Sequence, residues 1–226
     1  MTTVVKYFEK SIIMHYLPFK SSCAVNQSIM NKRVWEKNVL ELYKKYLNKS
    51  SVVLDIGANL GTHTIPLSLL SKKVYAFEAQ NKIYELLSKT INANEITNIE
   101  LFNNIVSDGK YESLQFLNTD CGRASVAVYR PRLSGYVTTE KTITIDSLNL
   151  DKCDLMKIDV EGGEWDVLNG CHLTITKYMP VIILETWKTK KNMIKLVNFT
   201  QKYGYNFNYL SSDNYLLTKN NVVNLH

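Results

Sequence analysis

Three apolar runs of this chain each carry a carboxylic acid at or near the C-terminal end. Val52–Ile56 holds Asp55, Lys73–Phe77 is followed by Glu78, and Leu155–Ile158 is followed by Asp159. The first run breaks into a turn bearing Gly57 and Gly61, then into a helical pattern. Glycine lets the main chain turn tightly and come close to a ligand, and a following helix offers free amide donors. The spacing is G-x-x-x-G, which differs from the G-x-G-x-x-G turn of dinucleotide sites. Glu78 stands roughly 20 residues after the turn, where doubly wound folds set an acid against ribose hydroxyls. A carboxylate accepts two hydrogen bonds and so holds both hydroxyls of an unphosphorylated ribose. The alternative for Glu78 is a charge at a helix N-terminus. In an open α/β sheet the carboxyl ends of the strands line the ligand crevice, which predicts that Asp55, Glu78 and Asp159 face one cleft.

The elements that must position these acids alternate as strands and helices of doubly wound lengths. Asn81 reads as a cap for a helix whose Ile83, Leu86, Leu87 and Ile91 face a sheet. Ile99–Val106 reads as one further strand. Ser113–Leu117 and Lys141–Ile145 predict a hairpin inserted at about 111–145, with the loop Asp120–Val126 near a substrate. Trp165 and Leu168 sit at helical spacing in a helix stopped by Gly170, and Met193, Leu196, Val197 and Thr200 mark another closed by Gly204. Tyr205–Leu210 and Asn214–Thr218 read as an antiparallel edge. Ahead of this, residues 1–49 read as a helical arm or cap, with Trp35, Val39, Leu42 and Tyr46 as one apolar stripe and Phe8, Ile12, Ile13 and Tyr16 as part of an earlier helix. The core then runs over 50–226.

Length and composition fit one soluble core: 226 residues, 45% hydrophobic and 21% charged. No apolar run approaches the roughly 18 residues of a membrane span, and Glu9, Lys10 and His15 interrupt any signal-like N-terminus, so a cytoplasmic location is expected. Cys23, Cys121, Cys153 and Cys171 are far apart and read as reduced thiols, although an even number leaves disulfides open. The net charge of +6 lies wholly within residues 1–50, which carry nine basic and three acidic residues. Such an arm would attract an anionic partner or would simply be a solvated helix face, with Lys37, Lys44 and Lys45 outward.

Taken together, Asp55–Gly61, Phe77–Glu78, Val106–Gly109, Lys157–Glu164 and Ile182–Glu185 resemble, in order, the successive motifs of the FkbM-type S-adenosylmethionine-dependent methyltransferases. The resemblance runs from about Val34 to about Thr218. It implies a class I methyltransferase fold, a Rossmann-like doubly wound α/β sheet that is mostly parallel with an antiparallel edge strand. It also implies that Asp55, Gly57, Asn59 and Gly61 hold the methionine part of the cofactor, Glu78 the ribose, and Val106 and Ser107 the adenine. Acceptors implied by the family are hydroxyl groups, often of sugars or secondary metabolites, and a nucleotide-sugar is one such partner. The physical chemistry agrees, because S-adenosylmethionine has no pyrophosphate to cradle and its positive groups favour a nearby acid such as Asp55. Asp55 also admits a plainer reading, as a carboxylate satisfied by backbone amides.

A sulfonium methyl is already activated, so the protein must align an acceptor oxygen and accept a proton. Asp159 is the first candidate for base or acceptor orienter, with Glu161, Glu185 and His63 behind it. A histidine in a helix's first turn is also an ordinary capping residue, and Glu161 and Glu164 would complement a helix dipole. Asp159 with Glu185 would suit a divalent ion, as in some O-methyltransferases, but two carboxylates without a third ligand do not favour one. An oxidoreductase is opposed by the missing G-x-G-x-x-G turn and by the lack of a Tyr-x-x-x-Lys pair. A nucleic-acid methyltransferase is opposed by the lack of an Asn/Asp-Pro-Pro-aromatic motif and of a Pro-Cys pair. A catalytically silent subunit of the same fold stays open, as does a homo-oligomer formed through the arm.

Overall fold

The computed structural model describes residues 1–18, 23–119, 125–126, 135–211 and 213–219. The chain opens with β1 (Thr2–Tyr7), β2 (Lys10–His15), α1 (Ala24–Met30) and α2 (Lys37–Tyr46). There follow β3 (Val52–Ile56), α3 (Thr64–Leu70), β4 (Lys73–Phe77), α4 (Asn81–Ala93), β5 (Ile99–Phe102) and β6 (Ile105–Val106). The middle is β-rich, with β7 (Ser113–Asn118), β8 (Ser125–Val126) and β9 (Tyr136–Ile143). The last third holds β10 (Leu155–Ile158), α5 (Glu164–Asn169), α6 (His172–Tyr178), β11 (Val181–Glu185), α7 (Lys190–Tyr203), β12 (Asn206–Ser211) and β13 (Asn214–Thr218).

Seven strands form the main sheet in the order β12-β13-β11-β10-β3-β4-β5. The pairs β10–β11, β10–β3, β3–β4 and β4–β5 are parallel, and β13 runs antiparallel to both β11 and β12. Leu54, Ile56, Met156, Ile158, Ile182 and Leu184 are buried together with Val167 and Leu168 of α5, while Val53, Val74, Leu155 and Ile183 belong to a second buried cluster with Leu60, Ile65 and Leu87. The central strands are thus apolar on both faces, as parallel strands covered by helices must be. Strand order reverses at β3, which has β4 on one side and β10 on the other. At that point the connections leave in opposite directions and open a crevice at the strands' carboxyl ends.

Three expectations need correction. Residues 2–15 form a hairpin and not a helix: Val5, Tyr7, Ile12 and Met14 are buried while Val4 and Ile13 are exposed. That is a period of two, which the chance helical spacing of Phe8, Ile12, Ile13 and Tyr16 obscures in the sequence. The open edge of β2 is closed by α4, whose Thr90 Oγ1 accepts from His15 N at 2.9 Å and whose Asn94 Oδ1 accepts from Ile13 N at 2.9 Å. Second, Ile99–Val106 is broken into β5 and β6 at Asn103–Asn104, because the Asn103 amide donates to the carbonyls of Glu78 (2.8 Å) and Ala79 (3.1 Å). Strand β6 then leaves the main sheet and pairs with β9. Third, the buried stripe of α2 is Val39, Leu40 and Tyr43: Val39 is buried as expected, Trp35, Leu42 and Tyr46 are only half-buried, and Lys37, Lys44 and Lys45 are exposed as expected.

The predicted inserted hairpin is present as β7 paired antiparallel with β9. Its loop Asp120–Val126 lies outside the described residues apart from Ser125 and Val126. Gln80, and not Asn81, is the N-cap of α4. Cys153 and Cys171 are buried free thiols and Cys23 is buried, whereas Cys121 lies outside the described residues. Among the described residues no helix is long and apolar enough to cross a membrane.

Candidate active site

A cleft of about 320 Å³ opens at the carboxyl ends of the central strands. Ile56, Gly57 and Asn59 border it after β3, Phe77 and Glu78 after β4, and Asp159, Val160 and Glu161 after β10. Glu185 from β11 and Trp35 and Glu36 from the N-terminal arm complete its acidic end. The volume suits a small organic ligand.

Glu78 ties the first half together. Its Oε2 accepts the Asn59 amide at 2.8 Å and its Oε1 accepts the Gln80 amide at 2.8 Å, so one carboxylate bridges the glycine turn and the start of α4. Burial pushes this carboxyl up to about 7 against the pull of those two amides, with the charges of Asp159 and Asp55 adding to the rise. Each oxygen takes one main-chain donor, which leaves lone pairs for hydroxyl groups in the cleft that Glu78 lines. Beyond it Phe77, Ile105 and Val106 offer an apolar wall of the kind a purine face needs. The residues present therefore fit an adenosyl group.

The two glycines make the expected turn, and protein atoms crowd both of them. Gly57 has φ +89°, and a Cβ there would lie 1.8 Å from the Asp159 carbonyl oxygen. Gly61 has φ +84°, and its Cβ would meet Leu87 Cδ1 at 2.4 Å. Both are required by protein atoms: the turn is pressed against the end of β10 on one side and against α4 on the other.

Of the three acids expected to share the cleft, Glu78 and Asp159 do so. Asp55 does not: it is fully buried outside the cleft wall, with Oδ2 accepting from Thr64 Oγ1 at 2.6 Å and Oδ1 without a hydrogen-bond partner among the described residues. Its side chain shares a sheet face with its register partner Lys157, so it acts on the cleft by charge. Gly57, Asn59 and Val106 line the cleft, whereas Gly61 and the buried Ser107 stand behind it.

Lys157 is the feature that sequence reasoning passed over. It is only 2% exposed, and its Nζ donates to Asp159 Oδ2 at 3.1 Å. Burial opposes its charge, but Asp159, Asp55, Glu185 and Glu36 together hold the ammonium well above the usual lysine range. The signal was present, since Lys157 interrupts an apolar strand just as Asp55 does. The cation that Asp159 and Glu185 face is this ammonium. Among the described residues no three His, Cys, Asp or Glu side chains are grouped to hold a metal. Burial, then the charge of Asp159, pushes the Glu185 carboxyl up to about 9, although Lys157 pulls the other way. This shift favours the protonated, hydrogen-bond-donating form of Glu185.

Glu161 lines the cleft from a left-handed turn (φ 59°) ahead of α5, not from within the helix's first turn. Glu164 is in that first turn, and its Oε1 accepts the Gly162 amide at 2.7 Å. His63 is 5% exposed and outside the cleft wall. Its Nδ1 lies 2.8 Å from the Tyr43 hydroxyl, and its Nε2 lies 3.1 Å from Glu36 Oε2, an ion-pairing distance without hydrogen-bond alignment.

The strand order and the reversal at β3 define the Rossmann-like class I methyltransferase fold. The family model described as the Methyltransferase FkbM domain matches residues 55–207, and the chain belongs to that family. A hexuronic acid methyltransferase, AglP of Haloferax volcanii, is 28% identical over 139 residues, covering 60% of this chain and 56% of AglP. Among solved structures, methyltransferase FkbM from Methylobacillus flagellatus KT has a TM-score of 0.56 at 14% identity over 78% of this chain and 49% of its own. SMU.1697c of Streptococcus mutans, crystallised with SAH, has a TM-score of 0.51 at 13% identity over 80% of this chain and 94% of its own. The chain thus spans about half the length of AglP and of the Methylobacillus protein.

Proposed function

We propose that this chain is an S-adenosylmethionine-dependent O-methyltransferase acting on a hydroxyl group of a sugar or glycan precursor. The observation that carries the reading is Glu78: a buried carboxylate at the tip of β4, bonded to both flanking turns and still open to the cleft. In this reading Glu78 holds the ribose hydroxyls, Gly57 and Asn59 border the methionine part, and Val106 packs on the adenine. Asp55, Gly61 and Ser107 support the site from behind its wall. When bound, the cofactor supplies an electrophilic sulfonium methyl. Asp159, fixed by Lys157, and the protonated Glu185 then orient the acceptor, one as hydrogen-bond acceptor and the other as donor. Family membership supports methyl transfer, and the name of the AglP relative supports a sugar-derived acceptor.

The test has two parts. Calorimetric titration of S-adenosylhomocysteine should show binding that Glu78→Ala weakens about 100-fold, the worth of two hydrogen bonds to a charged group. Isotope-labelled S-adenosylmethionine should then label methyl glycosides or uronic acids in the presence of the wild-type chain. Wild-type protein that does not retain S-adenosylhomocysteine would remove the assignment.

A further inference from the structure

Glu36 precedes residues 55–207, which the family model matches, and comes from the N-terminal arm. It nevertheless lines the cleft beside Asp159 and Glu185, with its side chain 12% exposed. Three separate elements hold it. It is the N-cap residue of α2 in a left-handed conformation (φ 43°, ψ 52°), uncommon for a residue with a side chain. Its Oε1 accepts from Asn214 Nδ2 at 3.0 Å, at the start of β13. Its Oε2 lies 3.1 Å from His63 Nε2, at the start of α3, and His63 in turn meets the buried Tyr43 hydroxyl of α2 at 2.8 Å.

We propose that Glu36 is the catalytic base that takes the proton from the acceptor hydroxyl, with His63 and Tyr43 as positioning residues behind it. This rests on the methyltransferase reading above. The balance is simple. The acceptor O–H bond breaks as the new O–C bond forms, the C–S bond breaks with its electron pair left on sulfur, and the proton goes to a Glu36 oxygen. Asp159 and Glu185 are less suited: Asp159 is ion-paired to Lys157, and burial with the charge of Asp159 pushes Glu185 toward its protonated form. Burial works against ionised Glu36, but its contact with His63 and the charge of Lys157 outweigh burial and the repulsion of Asp159, so its carboxyl stays below the usual range. Among the described residues Tyr43, Asp55 and Glu161 also face this cluster. A base must be ionised before it can act, and Glu36 is.

The experiment compares wild type, Glu36→Gln, Glu36→Asp and His63→Gln, using labelled S-adenosylmethionine with methyl glycosides and uronic acids, and calorimetry with S-adenosylhomocysteine. Glu36→Gln is expected to lower turnover about 100-fold, the ordinary worth of a general base, while S-adenosylhomocysteine affinity stays within about threefold. His63→Gln is expected to move the acidic limb of the pH–rate profile upward, because burial of Glu36 is then opposed by the charge of Lys157 without the contact to His63. A histidine of purely structural importance would leave that limb where it is and overturn the positioning role. Turnover of Glu36→Gln within about tenfold of wild type, or loss of its S-adenosylhomocysteine binding, overturns the assignment of Glu36. Should the glutamine variant not fold, Glu36→Asp decides, because it keeps the charge but withdraws it by one methylene: wild-type turnover there also overturns it. A wild-type chain that binds S-adenosylhomocysteine yet labels none of these acceptors overturns the hydroxyl-transfer reading and the base with it, an outcome distinct from an active Glu36→Gln.

Discussion

The two ends of the cleft are built in opposite ways. The end bordered by Gly57, Asn59 and Glu78 comes from one strand-turn-helix-strand stretch, and its bonds join residues within about 20 positions of one another. The end bordered by Glu36, Asp159 and Glu185 draws on the arm, β10 and β11, and depends on Asn214 of β13 and on the buried Lys157. A site made locally is a property of a motif. A site made across the sheet is a property of the whole fold, and it is where members of one family are free to differ in what they accept.

The severest challenge to this division is Gly57→Ala, because Gly57 belongs to the local end while its missing Cβ touches the Asp159 carbonyl of the other. The left-handed backbone and the 1.8 Å approach together should cost more than about 4 kcal/mol, read as a fall in the urea midpoint. A loss below about 1 kcal/mol would mean that the two ends are not interlocked there. Next comes Lys157→Met, which leaves the buried Asp55 and the half-buried Asp159 without their cation and should cost about 3 kcal/mol. Its pH dependence has a definite sign. Glu185 holds its proton up to about 9 in the folded chain, far above an ordinary carboxyl, so it lowers stability progressively as pH rises from about 5 toward 9. Glu185, already raised, adds little to the difference below about 9, but Lys157 helps to hold the Glu36 carboxyl below the usual range, a contribution present above an ordinary carboxyl's pKa and lost as pH falls, so the deficit of Lys157→Met should be larger at pH 8 than at pH 4; a deficit independent of pH would show that the carboxylates do not depend on Lys157.

Asp159→Ala probes the same contrast from the side of activity. Turnover should fall about 100-fold, or roughly 2.7 kcal/mol of barrier, with S-adenosylhomocysteine affinity within about threefold. Equal losses in both would erase the distinction between the two ends. The smallest effect is expected at Gly204, which caps α7 with φ +73° and has no atom within 4 Å of where a Cβ would stand. Gly204→Ala should cost only the left-handed backbone, about 1 kcal/mol in thermal or urea unfolding, which separates conformational strain from the contact that adds to it at Gly57.

Much of this was legible in the order of residues. Apolar runs ending in acids placed β3, β4 and β10, and Gly170 and Gly204 marked real helix ends. Alternation in Ser113–Leu117 announced the β7–β9 hairpin. Where a local pattern was ambiguous, the reading failed for identifiable reasons. Phe8, Ile12, Ile13 and Tyr16 imitate a helical period, yet the chain there alternates buried and exposed residues against α1 and α4. Val106 follows Ile99 in an unbroken-looking strand, but Asn103 folds its amide back onto the turn after β4 and ends the pairing. Asp55 has the position of a ligand-facing acid, and only its bond to Thr64 shows that it looks inward.

The order of residues was enough to set the alternation of strands and helices, the glycine turn and the acid that bridges it, because hydrophobic period, turn chemistry and a short strand-to-strand spacing are all written within a few dozen residues. It took the folded chain to bring Glu36 to His63, to enclose Lys157 among four carboxylates, and to require that Gly57 lack a side chain to clear Asp159. Those contacts join segments that the chain keeps far apart, and no local preference of either partner encodes the distance between them.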